Sequence, residues 1–155
     1  MRDLRGSAAT DVAAPPEKCV ALLAAVDGYP TWYPEVIREV DVLERDSEGV
    51  PRRARTTVHL ALGPLANDFH FEIAVATAPS EVVLSRVEEE PSDPERLEVR
   101  WQVAPGRLSV DVSARLSIPR FLPVGGAGET VAQGFVEAAR RELDGSSPKA
   151  SASSS

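Results

Sequence analysis

Between Leu108 and Ile118 apolar and polar residues alternate without a break: Leu108, Val110, Val112, Ala114, Leu116 and Ile118 against Ser109, Asp111, Ser113, Arg115 and Ser117. Successive side chains of a strand point to opposite faces, so this segment has one buried face and one wet face, as in an antiparallel sheet. The same period of two recurs upstream. Leu97, Val99, Trp101 and Val103 alternate with Glu98, Arg100 and Gln102, and Phe69, Phe71, Ile73 and Val75 with His70, Glu72 and Ala74. Val58, Leu60 and Leu62 alternate with His59 and Ala61, Val40 and Val42 open a further strand, and another lies around Val82 to Val87. Asp46-Ser47-Glu48-Gly49, Gly63-Pro64 and Pro105-Gly106 read as the turns, and Glu88 to Glu95 as an acidic loop carrying two prolines.

The flanks of this block have a different period. At the N-terminal end only Ala8 to Ala14 has the character of a short strand, which leaves residues 1–7 as a flexible start. Pro16 suits the first turn of a helix and Glu17 its positive end. Cys19, Leu22, Leu23 and Val26 then fall at i, i+3, i+4 and i+7 on one face. Gly28 ends that helix, and the proline-rich Tyr29-Pro30-Thr31-Trp32-Tyr33-Pro34 predicts a tight turn or a single helical turn. After the Phe121-Leu122-Pro123 corner and Gly125, Gly126 and Gly128, a long helix reaches about Leu143. Val131, Phe135, Ala138 and Glu142 lie along one side of it, with Ala139 and Leu143 beside them. Gly145 is expected to stop the helix, and residues 145–155 form a Ser/Ala-rich tail with nothing to bury, expected to be disordered. The domain is thus 8–144, of the α+β class.

Charge narrows the partners. The formal charge of -7 repels phosphate backbones and anionic headgroups, so nucleic acid and electrostatic membrane docking are both disfavoured. The basic run Arg52-Arg53-Ala54-Arg55 reads as a solvated face, and Arg140-Arg141 is broken up by Glu137 and Glu142. No segment has the ~18 consecutive apolar residues of a membrane span, which excludes stable insertion by helices. The N-terminus lacks a signal-peptide pattern, and the single cysteine, Cys19, cannot form an internal disulfide. These features fit a reducing cytoplasm and a buried structural thiol.

Several short motifs resemble a known family. They are Ala14-Pro15-Pro16-Glu17 at the start of the first helix; Asp27-Gly28-Tyr29-Pro30 with Trp32 and Pro34; and Val40-Asp41-Val42-Leu43-Glu44-Arg45-Asp46 before a glycine turn. Together they resemble the START-like superfamily (SRPBCC), in its branch of bacterial polyketide cyclase/dehydrase-like and coenzyme Q-binding proteins, over about Ala8 to Leu143. The resemblance implies a helix-grip fold: a curved antiparallel sheet of about seven strands wrapped around a long C-terminal helix, with two short helices after the first strand. It also implies a cavity for a hydrophobic ligand between sheet and helix, and no particular reaction. The chain departs from the pattern in its short first strand and its small-residue last helix, where Gly134 costs about 1 kcal/mol relative to alanine.

Volume makes the same point from below. A curved sheet presents more apolar surface than a helix rich in alanine and glycine can fill. A void of about 300 Å³ left empty would forfeit on the order of 7 kcal/mol. The residues expected to line the space are Trp32, Phe69, Phe71, Ile73, Val99, Trp101, Val112, Leu116, Val131 and Phe135. A close-packed core made of the same side chains fits the pattern equally well, and the resemblance favours the cavity. Trp32 and Tyr33 either gate the entrance or plug the helices onto the sheet; the plug suits Trp32, and Tyr33 stays open.

Chemistry in such a chamber needs a general acid or base reaching inward, and the inward positions are almost all apolar. Arg86 is the exception. If its strand faces inward through Val82 and Leu84, it could pair with a ligand carboxylate or enolate; if Val83, Ser85 and Val87 face inward, it is solvated. With a hairpin turn centred on Pro64-Leu65, His59 and His70 would stand opposite each other on the polar phase, near Asp68 and Glu72. Zinc is conceivable there, but an open outer face supplies no supporting shell, so the pair reads as exposed histidines. No catalytic residue, metal or cofactor is assigned. The expected function is binding, sequestration or presentation of a lipid-, quinone- or polyketide-like molecule, with that apolar ligand as partner, no nucleic acid, no stable membrane insertion, and room for a weak homodimer. The alternatives are a polyketide cyclase/aromatase-type enzyme and a protein-interaction module whose cavity has collapsed.

Overall fold

The alternating segments pair edge to edge into one sheet. A computed structural model describes residues 2–62, 64–88, 92, 94–119, 121–122 and 124–154, with backbone alone at 65 and 146–154. Parts of five expected features therefore lie outside the described residues: Met1 of the flexible start, Gly63 of one turn, 89–91 and 93 of the acidic loop, Pro123 of the corner and Ser155 of the tail. The elements are β1 (Arg2–Asp11), α1 (Pro16–Ala24), a 3-10 turn (Val26–Gly28), α2 (Tyr29–Trp32), β2 (Ile37–Arg45), β3 (Pro51–Leu62), β4 (Leu65–Ala78), β5 (Glu81–Arg86), β6 (Arg96–Ala104), β7 (Arg107–Leu116) and α3 (Ala127–Ser154). All strand pairs are antiparallel, in the order β1-β7-β6-β5-β4-β3-β2. Two short α-helices with a 3-10 turn between them follow β1, and a long helix comes last, which is the helix-grip arrangement.

Three local expectations change. β1 begins at Arg2, so residues 2–7 belong to the sheet rather than to a flexible start. Leu4, Gly6 and Ala8 carry the inward phase and pair with Ala114, Val112 and Val110 of β7. Small residues hid this strand from propensity, and pairing along a full-length neighbour overrides it. Next, Leu62 pairs with Leu65, so β3 and β4 are joined by a two-residue connection, the length that suits the right-handed twist of a hairpin. His59 then pairs with Asp68 and Thr57 with His70, and the two histidines are not opposite each other. The shift from the expected register is even, so every side chain keeps its face. Finally, α3 runs through Gly145, which does not take the left-handed φ of a helix-ending glycine. Glu142 lies on its exposed side, while Ala132, Phe135, Val136, Ala139 and Leu143 form the buried stripe.

α3 packs chiefly on β1 and β7, with brief contacts to α1 and α2. The reason is backbone against backbone. A Cβ at Gly6 would overlap the Gly128 carbonyl, and a Cβ at Gly128 would overlap Arg5. At the other end of the helix the Asp144 carboxylate accepts hydrogen bonds from the Ala13 and Ala14 amides, at 3.0 and 3.3 Å. These bonds tie the segment between β1 and α1 to α3. No helix among the described residues is long and apolar enough to cross a membrane.

Candidate functional site

α2 and α3 meet in a cluster of rings. Phe135 projects from α3 into a surround of Tyr33 (4.7 Å between centroids), Trp101 (5.3 Å, edge-on), Tyr29 (6.0 Å) and Trp32 (6.3 Å). Such tilted and edge-on pairs each add about 1 kcal/mol to the area they bury. The proline-bounded turn supplies three of the five rings, because its short helix aims them all toward α3. The Tyr29 hydroxyl donates to the Leu23 carbonyl at 2.6 Å, and complete burial pushes its phenol well above the ordinary range. The Tyr33 hydroxyl donates to the Val131 carbonyl at 3.0 Å. Burial raises that phenol too, and the nearby Glu35 carboxylate adds to the shift. Gly134 now has a reason: a Cβ there would collide with the Tyr33 hydroxyl.

Beside this cluster, between the sheet and α3, lies a cavity of about 60 Å³ with an apolar wall. Left empty, a space of this size costs about 1.5 kcal/mol, which a domain tolerates. Of the side chains expected around it, Phe71, Ile73, Val99, Val112, Leu116, Val131 and Phe135 are on its wall. Trp32, Tyr33, Phe69, Arg86 and Trp101 are not. Trp101, fully buried, is spent on packing against Phe135, and Trp32 and Tyr33 belong to the ring cluster. Phe69 is half-buried, stacked beside Phe71 at 6.2 Å.

Arg86 resolves the facing of β5. Val82 and Leu84 are buried, so the strand faces inward through them and Arg86 shares their phase. Its guanidinium lies over the Phe71 ring at 5.6 Å and donates to the Glu95 carbonyl at 3.2 Å, at the end of the strand and off the cavity wall. Sequence reasoning missed Tyr29 and Thr56, both on the wall. Thr56 was within reach: it stands two residues before Val58 and so shares its phase, and it is buried. Among the described residues no three His, Cys, Asp or Glu side chains gather as a metal site.

On the side away from β1, α3 stands off the sheet and leaves an open groove of about 540 Å³. Val36, Leu60, Ala127 and Val131 belong both to this groove and to the cavity wall, so the two spaces share a partition. The groove also carries Tyr33, Glu35, His59 and Thr130. His59 Nδ1 lies 2.7 Å from an Asp68 carboxylate oxygen.

A curved seven-stranded sheet gripping a C-terminal helix over an apolar chamber defines a START-like protein. The model of the family described as polyketide cyclase / dehydrase and lipid transport matches residues 4–145, and the chain belongs to that family. Solved structures share the fold. A START superfamily protein from Mycobacterium smegmatis aligns at 21% identity and a TM-score of 0.67 over 90% of this chain and 96% of that one. The Zhui aromatase/cyclase from Streptomyces sp. R1128 aligns at 16% identity and 0.60 over 92% and 94%. A STAR-related lipid transfer protein from Xanthomonas axonopodis aligns at 15% identity and 0.54 over 88% and 84%. A sequence search of curated proteins returned no match.

Proposed function

We propose that this chain binds an apolar small molecule between its sheet and α3, sequestering or presenting it. The observation that carries this reading is the apolar cavity beneath α3, walled by Phe71, Val99, Val112 and Phe135. At about 60 Å³ it is far below the roughly 300 Å³ of a ligand pocket, so binding requires the space to widen. The side that yields is the partition toward the groove, where α3 meets side chains rather than another main chain. Family membership and the likeness to a lipid transfer protein support the same reading.

The contracted cavity is also what an interaction module with a collapsed chamber would have, and that is the second reading. Purified protein extracted with organic solvent, together with its native mass spectrum, separates the two. A co-purifying apolar molecule, and saturable Nile red binding by the stripped protein, are expected for a carrier. An unliganded native mass with no Nile red uptake would leave the collapsed module.

A further inference from the structure

The groove outside the cavity bears on what kind of head such a ligand carries. Its partition with the cavity is apolar, through Val36, Leu60, Ala127 and Val131, while its outer wall holds Glu35, His59, Tyr33 and Thr130. A molecule seated across that partition meets hydrocarbon at one end and polar side chains at the other. Most of the polar groups are already engaged. The Tyr33 hydroxyl donates to Val131, the Thr130 hydroxyl donates to the Gly126 carbonyl at 2.9 Å, and a carboxylate can only accept. Because Asp68 accepts from His59 Nδ1, the neutral imidazole carries its proton on that nitrogen and keeps Nε2 as an acceptor. The fixed charges on this wall and behind it, Glu35 and Asp68, are both negative.

We infer that the site selects an amphiphile with an uncharged, hydroxyl-bearing head, lying in the groove between Glu35 and His59, and discriminates against anionic heads. A hydroxyl donates where Glu35 and His59 accept. A carboxylate or phosphate brings lone pairs to lone pairs and a second negative charge beside Glu35. This rests on the proposed binding of an apolar molecule in the adjoining cavity.

The test is Nile red displacement at pH 8, where decanoate is ionised, by two ligands with the same chain: 1-decanol and decanoate. Decanol is expected to bind at least tenfold more tightly than decanoate. In Glu35→Gln, an exposed position, decanoate should gain about threefold and the ratio shrink. His59→Phe should weaken decanol severalfold. Equal affinities, or tighter decanoate, would overturn the selection by head while leaving the apolar site standing. Failure of Nile red and of both ligands to bind would remove the binding site itself.

Discussion

The two flanks of α3 are built differently. Toward β1 the helix touches the strand through Gly6 and Gly128, backbone to backbone, with no side chain between. Toward β2 and β3 it is held off by Val36, Leu60 and Val131, and a groove remains. One flank has no slack, because any added atom overlaps a main chain. The other is filled by side chains that can change rotamer. On the proposed reading, a ligand that needs more than the present space would gain it on the second flank.

Substitutions test this contrast. The largest effect is expected at the pivot between the flanks: Phe135→Ala should lower stability by about 4 kcal/mol in chemical denaturation. A loss under about 1 kcal/mol would mean that the ring cluster does not hold the helix. Gly128→Ala should cost about 3 kcal/mol, since Arg5 must retreat along its whole backbone, whereas Thr130→Ala two residues on should stay within about 0.5 kcal/mol. Equal costs at these positions would erase the difference between the flanks. Tyr33→Phe removes the hydrogen bond to Val131 and should cost about 1 kcal/mol while speeding Nile red release, followed by stopped-flow fluorescence. Slower or unchanged release would place the opening elsewhere. Smallest of all, we propose that residues 146–155 add nothing to the domain, so their deletion should leave Tm unchanged, and a clear fall would show that the segment docks.

Which of these features can be read from the chain follows physical lines. Alternation reports facing, and it is insensitive to even shifts of register. Val110, Val112 and Phe71 are therefore found inside although His59 pairs with Asp68 rather than His70. Facing becomes ambiguous where both phases are apolar, as at Val82, Val83 and Leu84, and Arg86 inherits the ambiguity. β1 was underestimated because Gly6 and Ala8 have low strand propensity, yet their smallness is what lets α3 approach. Much of the cavity wall lies on strands, where alternation reports which side chains face inward. The cavity's volume and the groove were not legible, since both depend on how far the helix stands from each strand, a distance with no local signature.

The ring of Tyr33 occupies the notch that Gly134 leaves in α3. Positions 33 and 134, a hundred residues apart in the chain, are therefore tied by mutual exclusion. A descendant that acquired an alanine at 134 for its better helix propensity would have to displace or surrender the hydroxyl at 33, and with it the bond to Val131. The small-residue helix is in this sense a mould whose shape is set by a turn made long before it.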